Sequence, residues 1–281
     1  MTKIIVATIV KNEDDIVRDW IIYYGEMFGY TNLYIIDNCS TDNTFRICQE
    51  FVCRGIHLEQ LPDYKLKGEY MTRYKNSVQC DFFLPVDIDE FIVFYDPSAD
   101  RLSPSASYIS GVVPYFTQLA QTHPSSTLFK MNYISPLKTD TGQFDQKDYF
   151  HCFSHGITDD YGMYAKSFLQ NTPEFLSMKI DHGNHIPSSN YTSTQLYLVH
   201  YHFRSAEQHK KKVRANLEGF GYSLALDDLK ALGGNCDGNH HVKRYIHMLE
   251  NPNELVTGRI INHIPVGSVH LKFFSDFFKC V

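Results

Sequence analysis

The stretch Phe82-Phe83-Leu84-Pro85-Val86-Asp87-Ile88-Asp89-Glu90-Phe91 joins an apolar run to two aspartates spaced Asp-x-Asp. A short apolar run without polar alternation reads as a strand buried on both faces, and its abrupt polar end marks where the strand leaves its sheet. Working back towards the N-terminus, the same form recurs twice. Leu33-Tyr34-Ile35-Ile36 ends at Asp37-Asn38-Cys39-Ser40, and the run from Ile4 to Val10 ends at Lys11-Asn12-Glu13. Between these runs, Ile16, Val17, Trp20, Ile21, Tyr24 and Phe28 recur at helical spacing behind Asp14-Asp15. Acidic residues suit the positive end of a helix, and Gly29 can close it. Ser40 or Thr41 is expected to cap a second helix carrying Phe45, Cys48, Phe51 and Val52, closed by Gly55. A short strand over 56–61 and a helix over about 69–79 complete the pattern. Strands alternating with such helices predict an α/β fold, with a mostly parallel sheet and flanking helices. In open sheets of this kind ligands sit beyond the carboxyl ends of the strands, where all three polar clusters fall.

Beyond residue 100 the pattern loosens. The Ser- and Pro-rich segment 97–114 reads as a loop, and 127–134, 164–169 and 196–200 as strands. Ser205-Ala206-Glu207-Gln208 is a capping-box pattern opening a helix with Lys210, Lys211, Lys212 and Arg214, and the rest reads as mostly helical. The tail Phe273-Phe274-Ser275-Asp276-Phe277-Phe278 is open to resting on a membrane surface or a partner, and docking into its own core is the favoured reading.

Composition narrows the function. With 281 residues, 43% hydrophobic and 14% aromatic, the chain can build a sizeable core and is not disordered. A net charge of −6 argues against a nucleic-acid partner, which requires a basic surface. Seven scattered cysteines without a Cys-x-x-Cys read as reduced thiols of a cytoplasmic protein. The opening apolar run is too short, and too quickly acidic, for a signal peptide or a membrane span. No transmembrane segment is expected.

Two carboxylates at a strand end, Asp87 and Asp89, lie on one side of an extended chain and offer hard oxygen donors to Mg²⁺ or Mn²⁺. GxxxxGK[ST], GxGxxG and GxSxG are all absent, so a bound diphosphate would be neutralised by a metal and by cations such as Lys65, Lys67 and Arg73. The histidines gather as Asp181-His182-Gly183-Asn184-His185 and His200-Tyr201-His202. His-x-His on a strand puts both rings on one face, an arrangement open to zinc. The favoured reading is one histidine completing the Asp-x-Asp site, which suits Mn²⁺.

Lys11-Asn12-Glu13, a Trp-bearing helix, Tyr34 to Thr44, Val86-Asp87-Ile88-Asp89-Glu90-Phe91 and His200-Tyr201-His202-Phe203-Arg204-Ser205 together resemble the motif series of GT-A-fold glycosyltransferases of the family 2 and family 92 type. The resemblance implies a GT-A domain over 1–203, with a nucleotide-sugar half (1–95), an acceptor half (96–203) and a helical extension over 204–281. It implies a nucleotide-sugar donor, UDP favoured, whose sugar passes with inversion to a hydroxyl of a glycan or similar acceptor. The donor is expected to meet Val10, Asn12, Glu13, Asp37, Asn38, Lys67, Arg73 and Asp87, with Mn²⁺ or Mg²⁺ held by Asp87, Asp89 and His200. The family's glutamine-bearing helix is replaced by Glu69-Tyr70-Met71-Thr72-Arg73-Tyr74.

Inversion needs a general base for the acceptor hydroxyl. Asp181 is the first candidate and His185 the second, with Asp145, Asp148 and Asp160 open. Two sequons, Asn38-Cys39-Ser40 and Asn190-Tyr191-Thr192, are present; a glycan on Asn38 would block the pocket. A nucleotidyltransferase of similar sheet topology and a non-catalytic carbohydrate-binding relative are the alternatives.

Overall fold

Ile4–Val10 forms strand β1, and all seven of its residues are buried. Alternate side chains enter different cores: Ile4, Val6 and Val10 point one way, and Ile5, Ala7 and Ile9 the other. A strand covered on both faces has no solvent side, so its sequence carries no polar alternation. The structure is a computed structural model describing residues 2–95, 107–137, 155–159, 166–181, 183–186, 188, 190–202, 204, 206–234, 236, 238–251 and 269–281.

β1 pairs in parallel with β2 (Leu33–Asp37) and β4 (Phe82–Pro85), and β2 with β3 (His57–Gln60). Three helices join these strands: α1 (Val17–Phe28), α2 (Thr44–Glu50) and α3 (Lys67–Ser77). Trp20, Ile21 and Tyr24 of α1, with Ile47 and Cys48 of α2, fill one core, while Met71 of α3 enters the other. This is the α/β arrangement expected, with helices on both faces of a parallel sheet. Ser40 and Thr41 do not cap α2, whose preceding residue is Asn43. Both are engaged instead by Asn12 of the neighbouring loop.

Past β4 the pairing changes. β8 (Ser167–Gln170) lies antiparallel to β4, and β6 (Leu128–Leu137) lies antiparallel to β8 and to β7 (His155–Asp159). β9 (Thr192–His200) runs parallel to β6 and antiparallel to β5 (Glu90–Phe94), a strand that follows the Asp-x-Asp turn directly. The described part of the 97–114 segment is helical, not a loop: α4 (Ser107–Ser110) leads to α5 (Val112–Thr122), with Val112, Phe116 and Leu119 in the main core.

The C-terminal stretch divides. α6 (Ala206–Gly219), α7 (Leu226–Ala231) and α8 (Asn239–Glu250) enclose their own small core of Val213, Leu217, Leu229, Val242, Tyr245 and Met248. β10 (Val269–His270) returns to the sheet beside β7, and α9 (Lys272–Cys280) docks on the main core. The Phe274 ring lies 5.6 Å from those of Tyr23 and Phe91 and 5.7 Å from that of Tyr201, so the phenylalanine tail is a core element. The described cysteines are free thiols, and among the described residues no helix is long and apolar enough to cross a membrane.

Candidate active site

The loops after β1 and β2 are tied to each other before they meet anything else. Asn12 and Cys39 both adopt left-handed backbone conformations, at φ 56° and 52°. That turns the Asn12 amide towards the Ser40 hydroxyl at 2.9 Å, while Asn12 Oδ1 accepts from the Thr41 amide at 2.7 Å. The Glu13 amide donates to Thr44 Oγ1 at 2.8 Å. Asp37 Oδ2 accepts from the Ser40 amide and from Gln60 Nε2, and Asn38 Nδ2 donates to the Leu61 carbonyl at 2.7 Å. Asp37 and Asn38 are fully buried by these bonds, which also seals the Asn38 sequon in the folded chain.

Beyond the strand ends lies a cavity of about 410 Å³, lined in part by Val10, Glu13, Lys67, Asp87, Asp89 and His200. The two aspartates of the Asp-x-Asp turn have separate environments. Asp87 faces ammonium groups from both flanks: Lys67 Nζ at 3.0 Å from Oδ1 and Lys166 Nζ at 2.9 Å from Oδ2, with Asn184 Nδ2 donating to Oδ1 at 2.8 Å. Burial raises the Asp87 carboxyl, but Lys166 and Lys67 outweigh it and hold it well below the usual carboxylate range. Lys166 also lies 3.4 Å from Glu90, whose carboxylate accepts from Tyr133 Oη and from the Asp87 amide. Trp20 Nε1 donates to the Asp87 carbonyl at 3.2 Å, linking the turn to the core.

Asp89 lines the same cavity with a different set of partners. Its Oδ2 lies 3.4 Å from His200 Nε2 and 3.9 Å from His202 Nδ1, and it accepts from Lys212 Nζ. Its Oδ1 is buried and has no hydrogen-bond partner among the described residues. The strand period explains the histidines. His200 ends β9, the Tyr201 amide donates to the Asp89 carbonyl, and the Tyr201 ring turns into the core, which leaves both neighbouring imidazoles on the cavity side. Asp89, His200 and His202 form the one group of potential metal ligands found among the described residues. The His-x-His pair and the Asp-x-Asp turn therefore meet at one place, and Asp87, engaged by its lysines, stands outside the group.

His202 is held well below the usual histidine range by burial, then by Lys212 and His200, and is neutral. Arg244 Nη1 lies 3.0 Å from its Nε2. A guanidinium can only donate, so Nε2 accepts and the ring proton sits on Nδ1, the nitrogen facing Asp89. A cation at Asp89 is therefore served first by that carboxylate and by His200. A carboxylate with an orphaned Oδ1 and an imidazole nitrogen 3.4 Å from its Oδ2 fits a borderline divalent ion such as Mn²⁺.

Arg204 fixes the floor of the site. It pairs with Glu13, and with Asp15 at 2.7 Å, and donates to the Tyr201 carbonyl at 3.0 Å. Gln208 Nε2 adds a 2.8 Å bond to Glu13. From the C-terminal unit, Asn216, Phe220, Gly238 and His241 complete the wall.

The other expected site residues fall elsewhere. Arg73 pairs with Glu59 at 2.6 Å on the surface, and Asn12, Asp37 and Asn38 hold loops together, not the cavity wall. Asp181 Oδ1 accepts from the amides of Gly183 and His185, both at 2.8 Å, closing its own turn; His185 lines the cavity and Asp181 does not. Asp145, Asp148 and Asp160 lie outside the described residues, as do Phe203 and Ser205. Sequence reasoning missed Lys166, Lys212, Arg244 and the role of His202. The one available signal was Lys166 inside the expected strand 164–169, just ahead of Phe168-Leu169, an awkward position for a solvated lysine.

No family model and no curated protein matches the sequence. Among solved structures, residues 1–349 of S. aureus TarS are similar at 12% identity, covering 89% of this chain and 73% of that one, with a TM-score of 0.41. The same protein in complex with UDP is similar at 13% identity, covering 89% and 71%, with a TM-score of 0.41. Glucosyl-3-phosphoglycerate synthase from Mycobacterium tuberculosis, solved with Mn²⁺, UDP and glucosyl-3-phosphoglycerate, is similar at 19% identity, with a TM-score of 0.33. That match covers 47% of this chain and 44% of the synthase, less than half its length.

Proposed function

We propose that this chain is a divalent-metal-assisted glycosyltransferase of the GT-A type. It takes a nucleoside-diphosphate sugar, UDP favoured, and passes the sugar with inversion to a hydroxyl of a glycan or similar acceptor. The observation that carries this reading is Asp89, a buried carboxylate with an unpartnered oxygen, held against His200 in a cavity that also presents Lys11, Lys67 and Lys212.

Asp89 and His200 are the residues that would hold Mn²⁺ or Mg²⁺, which when bound stabilises the charge on a departing diphosphate. Lys11 and Lys67 supply ammonium groups to the anionic oxygens of the donor, and Val10 and Glu13 face its nucleoside. Asp87 serves by positioning Lys67. His185 is the proposed base. Burial, and then Lys166, lower its pKa, so the ring is neutral at pH 7. Its Nδ1 is buried, which leaves Nε2 to take the proton of the acceptor hydroxyl. Asp181 positions His185 through the turn that its carboxylate closes. Free thiols and the sealed Asn38 side chain support a cytoplasmic setting.

The test is turnover of a panel of UDP- and GDP-sugars with Mn²⁺, in the wild type, with EDTA and in Asp89→Asn. Stabilisation of the leaving diphosphate is worth several kcal/mol, so both treatments are expected to lower turnover about a thousandfold. Activity surviving both overturns the reading. Pyrophosphate release from a nucleoside triphosphate would assign a nucleotidyltransferase instead, and donor binding without turnover a carbohydrate-binding protein.

A further inference from the structure

We propose that Lys212 is an exchangeable counter-ion: without a metal its ammonium neutralises Asp89, and on metal binding it is displaced into the cavity, where it faces the diphosphate of the donor. The proposal rests on the metal-assisted reading above and adds a role for the C-terminal helical unit.

Lys212 Nζ bonds to Asp89 Oδ2, and its next carboxylate, Glu13 Oε1, is 3.9 Å away. Arg204 Nη1 also lies 3.9 Å from Asp89 Oδ2. Asp89 thus carries two neighbouring cations at Oδ2, its Oδ1 has no hydrogen-bond partner among the described residues, and a divalent ion at this carboxylate would make a third cation. Three cations around one carboxylate repel, so one of the resident pair must yield. Arg204 is immobile: its side chain is 2% exposed and is held by Glu13, Asp15 and the Tyr201 carbonyl. Lys212 is the movable one. Its side chain is 20% exposed, it reaches Asp89 through a flexible four-carbon stem, and it already lines the cavity. Its neighbour Lys211 is committed to Asp14 and Asp42. Ala215 and Asn216, one turn further along α6, line the same wall, so a released ammonium stays inside the site.

Competition between two cations for one carboxylate is a coupling between sites, and couplings of this kind amount to roughly 5- to 150-fold in affinity. Calorimetric titration of Mn²⁺ without nucleotide into the full chain reads it directly. Lys212→Met and Lys212→Gln are expected to bind Mn²⁺ at least about fivefold more tightly than wild type. With saturating Mn²⁺, the same variants are expected to show a donor KM raised about tenfold, with a smaller change in kcat. A purely structural role would weaken both affinities together, whereas exchange moves them in opposite directions. Thermal unfolding confirms that each variant is folded, and the two substitutions guard against a defect in either. Mn²⁺ bound by folded variants with equal or lower affinity than wild type overturns the exchange alone. Mn²⁺ bound by neither wild type nor variants overturns the metal-assisted reading, and this inference with it.

Discussion

The first 95 residues and the α6–α8 unit both face the cavity, yet they are built on different physics. The sheet half packs Trp20, Tyr24, Ile35, Phe82 and Leu84 into one continuous core, with β1 buried along its whole length. The helical unit has a small core of its own and meets the strand ends through charge: Lys211 with Asp14 and Asp42, Lys212 with Asp89, and Gln208 with Glu13. Apolar burial holds the scaffold, and ion pairs hold the part that closes over the site. Non-directional burial tolerates exchange of similar side chains, whereas a buried ion pair fails when either partner is lost.

Breaking the scaffold should have the largest effect. Trp20→Ala empties a fully buried site and removes the bond to the Asp87 carbonyl. It is expected to lower stability by about 4 kcal/mol, read as a lower midpoint of a denaturant curve. Arg204→Gln attacks the ionic side. It leaves Glu13 and Asp15 without their guanidinium and should cost about 3 kcal/mol. Native-state hydrogen exchange should show the α6 amides opening first, while β1 stays protected. Equal exposure of β1 would erase the contrast between the two regions.

The next effect is on rate. The lowered pKa of His185 keeps its ring unprotonated through neutral pH, and protonation on acidification removes the proposed base. Turnover should therefore hold as pH falls to about 6.5 and drop only once pH passes the lowered value. Below that value it should lose about tenfold per pH unit, or about 1.4 kcal/mol, an acid limb missing from His185→Gln. The smallest effect belongs to Lys211→Ala, which removes partly exposed pairs and is expected to cost less than about 1 kcal/mol. Added salt should shrink that cost further and leave the Trp20 effect unchanged.

How far the sequence could be read follows the same division. β1, β2 and β4 were legible because strands buried on both faces are unbroken apolar runs, and Gly29 and Gly55 mark where helical segments stop. α5 was hidden by the Ser- and Pro-rich stretch in front of it. β9 was read only from Leu196 because its first residues, Thr192 to Gln195, are polar. At the site, the Asp-x-Asp turn and His200 could be placed because their positions follow from strand ends. The partners that give them meaning could not. Lys166 meets Asp87 across 79 residues, Lys212 meets Asp89 across 123, and Arg204 meets Glu13 across 191. An ion pair over such separations leaves no period in the sequence. That is why the sequence offers Asp87 to a metal and shows nothing of the two lysines that engage it.

Trp20 is the only tryptophan in the chain, and its indole N–H lies 3.2 Å from the carbonyl of Asp87, the first residue of the turn that carries Asp89. The protein thus contains its own optical probe. Intrinsic emission excited at the indole band comes from one site, and that site touches the Asp-x-Asp turn through one hydrogen bond. Changes at the turn can be followed in real time on the unlabelled protein.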